Sequence, residues 1–130
     1  MSSKNHILFV DDEAGNRLSF KAYFRRKFPI LVAPDAAVAK AMLQALPISL
    51  VLSDQRMPGI SGMELFVWLQ RYDPRIVRVL ASGSTTYEDK EQAMENGIIH
   101  AWVQKPWNVL ELEQKLSGWY VGGMGSLLRN

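Results

Sequence analysis

Five short apolar runs recur along the chain: His6–Val10, Ile30–Ala33, Ile48–Leu52, Ile76–Ala81 and Ile98–Val103. They are continuous rather than alternating, which is the pattern of strands covered on both faces. Between them the apolar spacing turns helical. Phe20, Tyr23 and Phe24 fall at i, i+3, i+4, and Ala39, Met42, Leu43 and Leu46 carry the same stripe to i+7. Leu65, Trp68, Leu69 and Tyr72 repeat it behind Ser61, and Val109, Leu112, Leu116 and Trp119 form the last stripe. Helix ends are marked as well. Asp35 is placed as an N-cap, Thr85 with Glu88 and Asn108 with Glu111 have capping-box spacing or a close variant, and Gly97 suits a position just past a helix end. A polar helix over Thr86–Asn96 completes a βαβαβαβαβα order. Strict alternation with short connections predicts an α/β fold, a parallel sheet with helices on both faces.

Size and composition narrow the classes. At 130 residues the chain fits one domain with a sizeable core. Apolar runs reach about six residues, far short of the roughly 20 that span a bilayer. Residues 1–120 are expected to form the domain, and 121–130, which contain Gly122, Gly123 and Gly125, a short tail or the start of a linker. No cysteine occurs, so disulfides and thiolate metal sites are excluded. Met1–Asn5 has no apolar stretch of the secretory type, and the expected location is cytoplasmic. The formal charge of +2, from 15 Lys+Arg against 13 Asp+Glu, is too balanced to argue for nucleic acid or membrane binding. Lys21, Arg25, Arg26 and Lys27 read as a solvated helix end. Met57 and Met63 read as packing residues, His6 and His100 as satisfied side chains, and Tyr87 as a surface residue.

The chemistry gathers where the strands end. In an open parallel sheet, ligands bind beyond the carboxyl ends of the strands. The first strand runs into Asp11, Asp12 and Glu13, the third into Asp54, the fourth into Ser82, and the fifth into Lys105 and Pro106. An ionised carboxylate at the tip of a core strand needs compensation, because burying it alone costs several kcal/mol. Carboxylates without cysteine or a placed histidine suit Mg²⁺, which shares oxygens with phosphoryl groups. Lys105 supplies a second cation and Ser82 a hydroxyl. A metal-assisted carboxylate attack on phosphorus is known covalent chemistry. The expectation is that Asp54 becomes phosphorylated, beside Mg²⁺ and Lys105.

At these residues the chain resembles the receiver domain of a two-component response regulator, over about residues 5–119. The motifs are Val10-Asp11-Asp12-Glu13, Ser53-Asp54-Gln55-Arg56-Met57-Pro58-Gly59, Leu80-Ala81-Ser82-Gly83 and Lys105-Pro106-Trp107. The resemblance implies a flavodoxin-like, doubly wound five-stranded parallel sheet of order 2-1-3-4-5. It also implies a phosphorylation-dependent switch rather than a turnover enzyme. Asp54 would accept the phosphoryl group from a phosphohistidine of a sensor histidine kinase or phosphotransfer protein. Asp11, Asp12, Asp54 and the Arg56 backbone carbonyl would hold Mg²⁺. Lys105 and Ser82 would contact the phosphoryl group, and Trp102, where Tyr or Phe is usual, would be the switch aromatic. Pro58 and Gly59 shape the turn after the acceptor, and the bond before Pro106 is expected cis. The readout surface would be the face of the fourth helix, fifth strand and fifth helix. It would be read by an output domain or protein, or by a second copy.

Three rival classes fit less well. A Mg-dependent aspartyl phosphohydrolase would carry Asp-x-Asp, the second acid protonating the leaving group, whereas Arg56 holds that second place. A degenerate, phosphorylation-independent binding module would lack one of the acids or the lysine. A nucleotide-binding fold would want a glycine-rich turn after the first strand, which Glu13-Ala14-Gly15-Asn16 does not supply.

Overall fold

A computed structural model describes residues 5–128, with side chains as far as residue 120. Each apolar run becomes a strand: β1 (His6–Val10), β2 (Ile30–Ala33), β3 (Ile48–Asp54), β4 (Val77–Ser82) and β5 (Ala101–Gln104). The helices are α1 (Ala14–Phe24), α2 (Ala36–Ala45), α3 (Gly62–Tyr72), α4 (Tyr87–Glu95) and α5 (Val109–Leu128). All strands pair in parallel, in the order β2-β1-β3-β4-β5. The chain winds to one side of β1 through β2 and to the other through β3, so strand order reverses between β1 and β3. That crevice is where a doubly wound sheet receives its ligand.

Alternate residues of each strand feed opposite cores, which is why the runs look continuously apolar. Leu8 and Val10 of β1 join Val51, Leu65, Phe66, Leu69 and Leu80 on one face. Ile7 and Phe9 join Phe20, Phe24, Leu50, Leu52, Val79, Leu112 and Leu116 on the other. Phe9 stacks on Phe20 with ring centroids 4.1 Å apart, and Trp107 meets both rings edge-on. Each such side chain, taken fully out of water, contributes roughly 1.5–3 kcal/mol.

Caps follow local chemistry. The Asp35 side chain accepts from the Val38 N–H, and Ser61 with Glu64 closes a full capping box. Asn108 accepts from the Glu111 N–H at 3.0 Å, and Gly97 takes φ +74°, a conformation open to glycine at little cost. Thr86, not Thr85, caps α4 by accepting from the Asp89 N–H; the Thr85 hydroxyl is engaged with Ser82 instead.

The fifth strand begins at Ala101 rather than Ile98. The carbonyls of Gly97 and Ile98 accept from the guanidinium of buried Arg78, at 2.9 Å each, and so leave the ladder. His100 therefore precedes the strand instead of sitting within it. Its Nδ1 accepts from the Arg78 backbone N–H at 3.0 Å. Burial, then the charge of Arg78, lowers its pKa to about 4, which keeps it a neutral acceptor. α5 carries its backbone past Trp119 to Leu128. The tail expected at 121–130 thus starts inside this helix, and its side chains lie outside the described residues.

Candidate functional site

The acidic residues reach the crevice from different strands. Asp11 directly follows β1 and is fully buried. Asp54 is the last residue of β3, its side chain 16% exposed. Asp12 is exposed. One carboxylate oxygen from each of the three lies within 4.8 Å of the others. Lys105, beyond β5, places Nζ 3.2 Å from Asp11 Oδ2 and 3.5 Å from Asp54 Oδ1.

Local structure explains why these groups stay put. The Glu13 N–H donates to Asp11 Oδ1 at 2.9 Å, and Asn16 Nδ2 donates to Asp11 Oδ2 at 3.2 Å. Arg17 donates to the Asp11 carbonyl, so the first turns of α1 hold the strand end. The Gln55 N–H donates to Asp54 Oδ1 at 2.9 Å. The Asp54 carbonyl accepts from the Ser53 hydroxyl at 2.9 Å. Gly62 opens α3 against the same carbonyl, where a Cβ would sit 2.3 Å from the oxygen. Only glycine permits that approach, so Gly62 is a site residue that spacing alone does not reveal. Gln55 closes the loop again: its carbonyl accepts from the Gly62 N–H, and its side-chain oxygen accepts from the Met63 N–H. Gly59, in the turn, has φ +84°.

Burial pushes the Asp54 pKa above the ordinary carboxylate value; Lys105 opposes the shift and Asp11 adds to it. For Lys105, burial alone would lower the pKa, but the charges of Asp11 and Asp54 reverse this and raise it. Three carboxylates face one ammonium, which leaves two negative charges uncompensated when all are ionised. An oxygen-only donor set with that excess charge suits a small, hard divalent cation such as Mg²⁺.

The remaining expected residues lie around this centre. Arg56, two residues past Asp54, is exposed at a polar cleft of about 420 Å³ between the β3–α3 and β4–α4 loops. Pro58 is exposed in the β3–α3 loop. The Lys105–Pro106 peptide bond is cis. Ser82 follows Ala81, the register partner of Asp54, and its carbonyl accepts from the Lys105 N–H. Its hydroxyl is turned to the β4–α4 loop, 2.6 Å from Thr85 Oγ1. Trp102 is paired in register with Leu80, two residues before Ser82 on the neighbouring strand. Its ring meets Tyr87 edge-on at 6.0 Å, and Lys90 Nζ lies 5.3 Å from its centroid.

A family model described as the response regulator receiver domain matches residues 7–117. The chain belongs to this family. Its curated relatives include the hydrogenase transcriptional regulatory protein HoxA of Cupriavidus necator, 35% identical over 101 residues, which are 78% of this chain and 21% of HoxA. The aerobic respiration control protein ArcA of Escherichia coli is 31% identical over 108 residues, 82% of this chain and 44% of ArcA. The chain therefore spans only a fifth to under half of these relatives. Among solved structures, a response regulator receiver protein from Pseudomonas putida superposes with TM-score 0.82 at 25% identity, covering 90% of this chain and 98% of that one. The receiver domain of an HD domain-containing protein from Pseudomonas fluorescens superposes with TM-score 0.83 at 22% identity, covering 98% and 100%. The receiver fold is thereby established for this chain, and membership of the family supports a phosphorylation-dependent signalling role. Among the described residues, no helix is long and apolar enough to cross a membrane.

Proposed function

We propose that Asp54 accepts a phosphoryl group from a phosphohistidine on a sensor histidine kinase or phosphotransfer protein. The observation that carries this is the convergence of Asp11, Asp12 and Asp54 within 4.8 Å, with Lys105 bridging two of them. Both the Gln55 amide and Lys105 approach Asp54 on Oδ1, which leaves Oδ2 the freer oxygen. Oδ2 attacks phosphorus, the new O–P bond forms, and the P–N bond breaks with its electron pair returning to the imidazole nitrogen. Asp54 becomes an acyl phosphate. Asp11, Asp12, Asp54 and the Arg56 carbonyl would hold Mg²⁺, which would supply charge neutralisation for the phosphoryl group. Lys105 stays in contact with the product charge, and Ser82 is the nearest hydroxyl donor on β4.

Arg56 offers no acid to protonate a leaving group, so the domain acts as an acceptor switch and not as a turnover phosphohydrolase. Presence of all three acids and the lysine argues against a binding module that has lost phosphorylation. The readout surface is the face of α4, β5 and α5, used by an output domain, an output protein or a second copy. A cytoplasmic location follows from the kinase partner.

Incubation with Mg²⁺ and a small acyl phosphate donor should add the mass of one phosphoryl group, and Asp54→Asn should abolish it while the fold persists. An equal gain in Asp54→Asn would overturn the assignment.

A further inference from the structure

We propose that Thr85 is a positioning residue that holds Ser82 in its resting arrangement, by taking the proton that a phosphoryl oxygen on Asp54 would require. The inference rests on Asp54 as the acceptor. Ser82 is 3% exposed, and its hydroxyl has three partners. The Ser84 N–H donates to Ser82 Oγ at 3.1 Å and the Thr85 N–H at 2.9 Å. Thr85 Oγ1 lies 2.6 Å away, at the short end of the hydroxyl range.

A serine hydroxyl owns one proton and two lone pairs. The two amides use the lone pairs, so the proton points to Thr85 Oγ1. A phosphoryl group offers only acceptor oxygens, so Ser82 can meet it only with that same proton. Thr85 Oγ1 and the phosphoryl oxygen therefore compete for one donor. Thr85 immediately precedes Thr86, the cap of α4. Whichever acceptor wins also decides whether the turn leading into α4 stays closed.

The test uses beryllofluoride, a non-covalent phosphoryl mimic for carboxylates, titrated with Mg²⁺ by calorimetry. Thr85→Val keeps the shape and removes the competing oxygen. One neutral hydrogen bond fewer to break corresponds to roughly threefold to tenfold tighter binding. Thr85→Ser keeps the hydroxyl and should return wild-type affinity. In a Ser82→Ala background, Thr85→Val should change nothing, which a merely structural effect of the valine would not reproduce. Should Thr85→Val fold poorly, Thr85→Ala replaces it in the same cycle. Equal or weaker binding by Thr85→Val, or the same gain with Ser82 absent, overturns the role of Thr85. Failure of the wild type to bind the mimic overturns the Asp54 assignment instead.

Discussion

Asp54 is held where its own charge is unwelcome. Burial is the largest cause of its raised pKa, and the neighbouring Asp11 adds to it. The folded state therefore binds a proton at Asp54 more readily than the unfolded chain does. Stability linked to this group is full below the ordinary carboxylate range and is lost as pH rises through the raised value. Above that window, without a divalent cation, the ionised side chain works against folding. Asp54→Asn should then raise Tm by roughly 3 °C or more at neutral pH, the scale on which about 1 kcal/mol acts in a domain of this size. The gain should vanish near pH 3, at about which Asp54 is protonated anyway. Thermal melts at both pH values, in chelator, check this; an equal gain at both would assign it to something other than charge. At this scale the sequence is legible for residues whose chemistry is intrinsic. Asp11, Asp54 and Lys105 announce themselves as charges at strand ends. Gly62 and Thr85 do not, because their roles come from what lies across a loop: the Asp54 carbonyl for one, the Ser82 hydroxyl for the other.

Among the elements, the connection from α4 to β5 departs most from the apolar pattern, and Arg78 is the cause. Its residue is 2% exposed. Its guanidinium donates to the carbonyls of Pro74, Ile76, Gly97 and Ile98 at 2.9–3.1 Å. These belong to the α3–β4 and α4–β5 connections, so one side chain fixes the entry to two neighbouring strands. The apolar run at Ile98 looks like a strand start, yet its carbonyl is spent on Arg78 and pairing begins three residues later. A hydrophobic pattern records burial, and Ile99 is indeed 1% exposed, but it does not record which backbone groups a distant side chain has claimed. Arg78→Met would retain the volume and leave four carbonyls without that donor. We expect a loss of about 3 kcal/mol or more, measured as a lower urea midpoint with unchanged slope. Arg78→Lys should recover only part of it, since an ammonium cannot span the four acceptors. Full stability in Arg78→Met would show that water replaces the guanidinium at no penalty.

Over the whole molecule, the alternation of strand and helix made the α/β class legible from periodicity alone. Strand order was not legible that way, because five interchangeable apolar runs carry no label for their neighbours; it came through resemblance at the charged strand ends. What links that edge to the proposed readout face is also a matter of packing rather than pattern. Trp102 lies on β5 beside Leu80 of β4, two residues before Ser82. Its indole is bounded by α4 through Tyr87, edge-on at 6.0 Å, and through Lys90, whose Nζ sits 5.3 Å from the ring centroid. Lys90 is 7% exposed, so this cation–π contact is partly desolvated and can be worth on the order of 1–2 kcal/mol. α4 begins at Tyr87, two residues past Thr85, so any rearrangement at Ser82 reaches Tyr87 and Lys90 before it reaches the end of the helix. Phosphorylation should therefore change the environment of the Trp102 ring, whether the ring turns inward or α4 shifts over it. Trp68, Trp107 and Trp119 also emit, so the measurement is a difference: the emission change on phosphorylation in wild type minus that in Trp102→Phe. Most of the change should disappear in Trp102→Phe. If both proteins show the same change, Trp102 does not report the charge at Asp54, and the path from the acidic edge to the α4–β5 face runs through the β4–α4 loop alone.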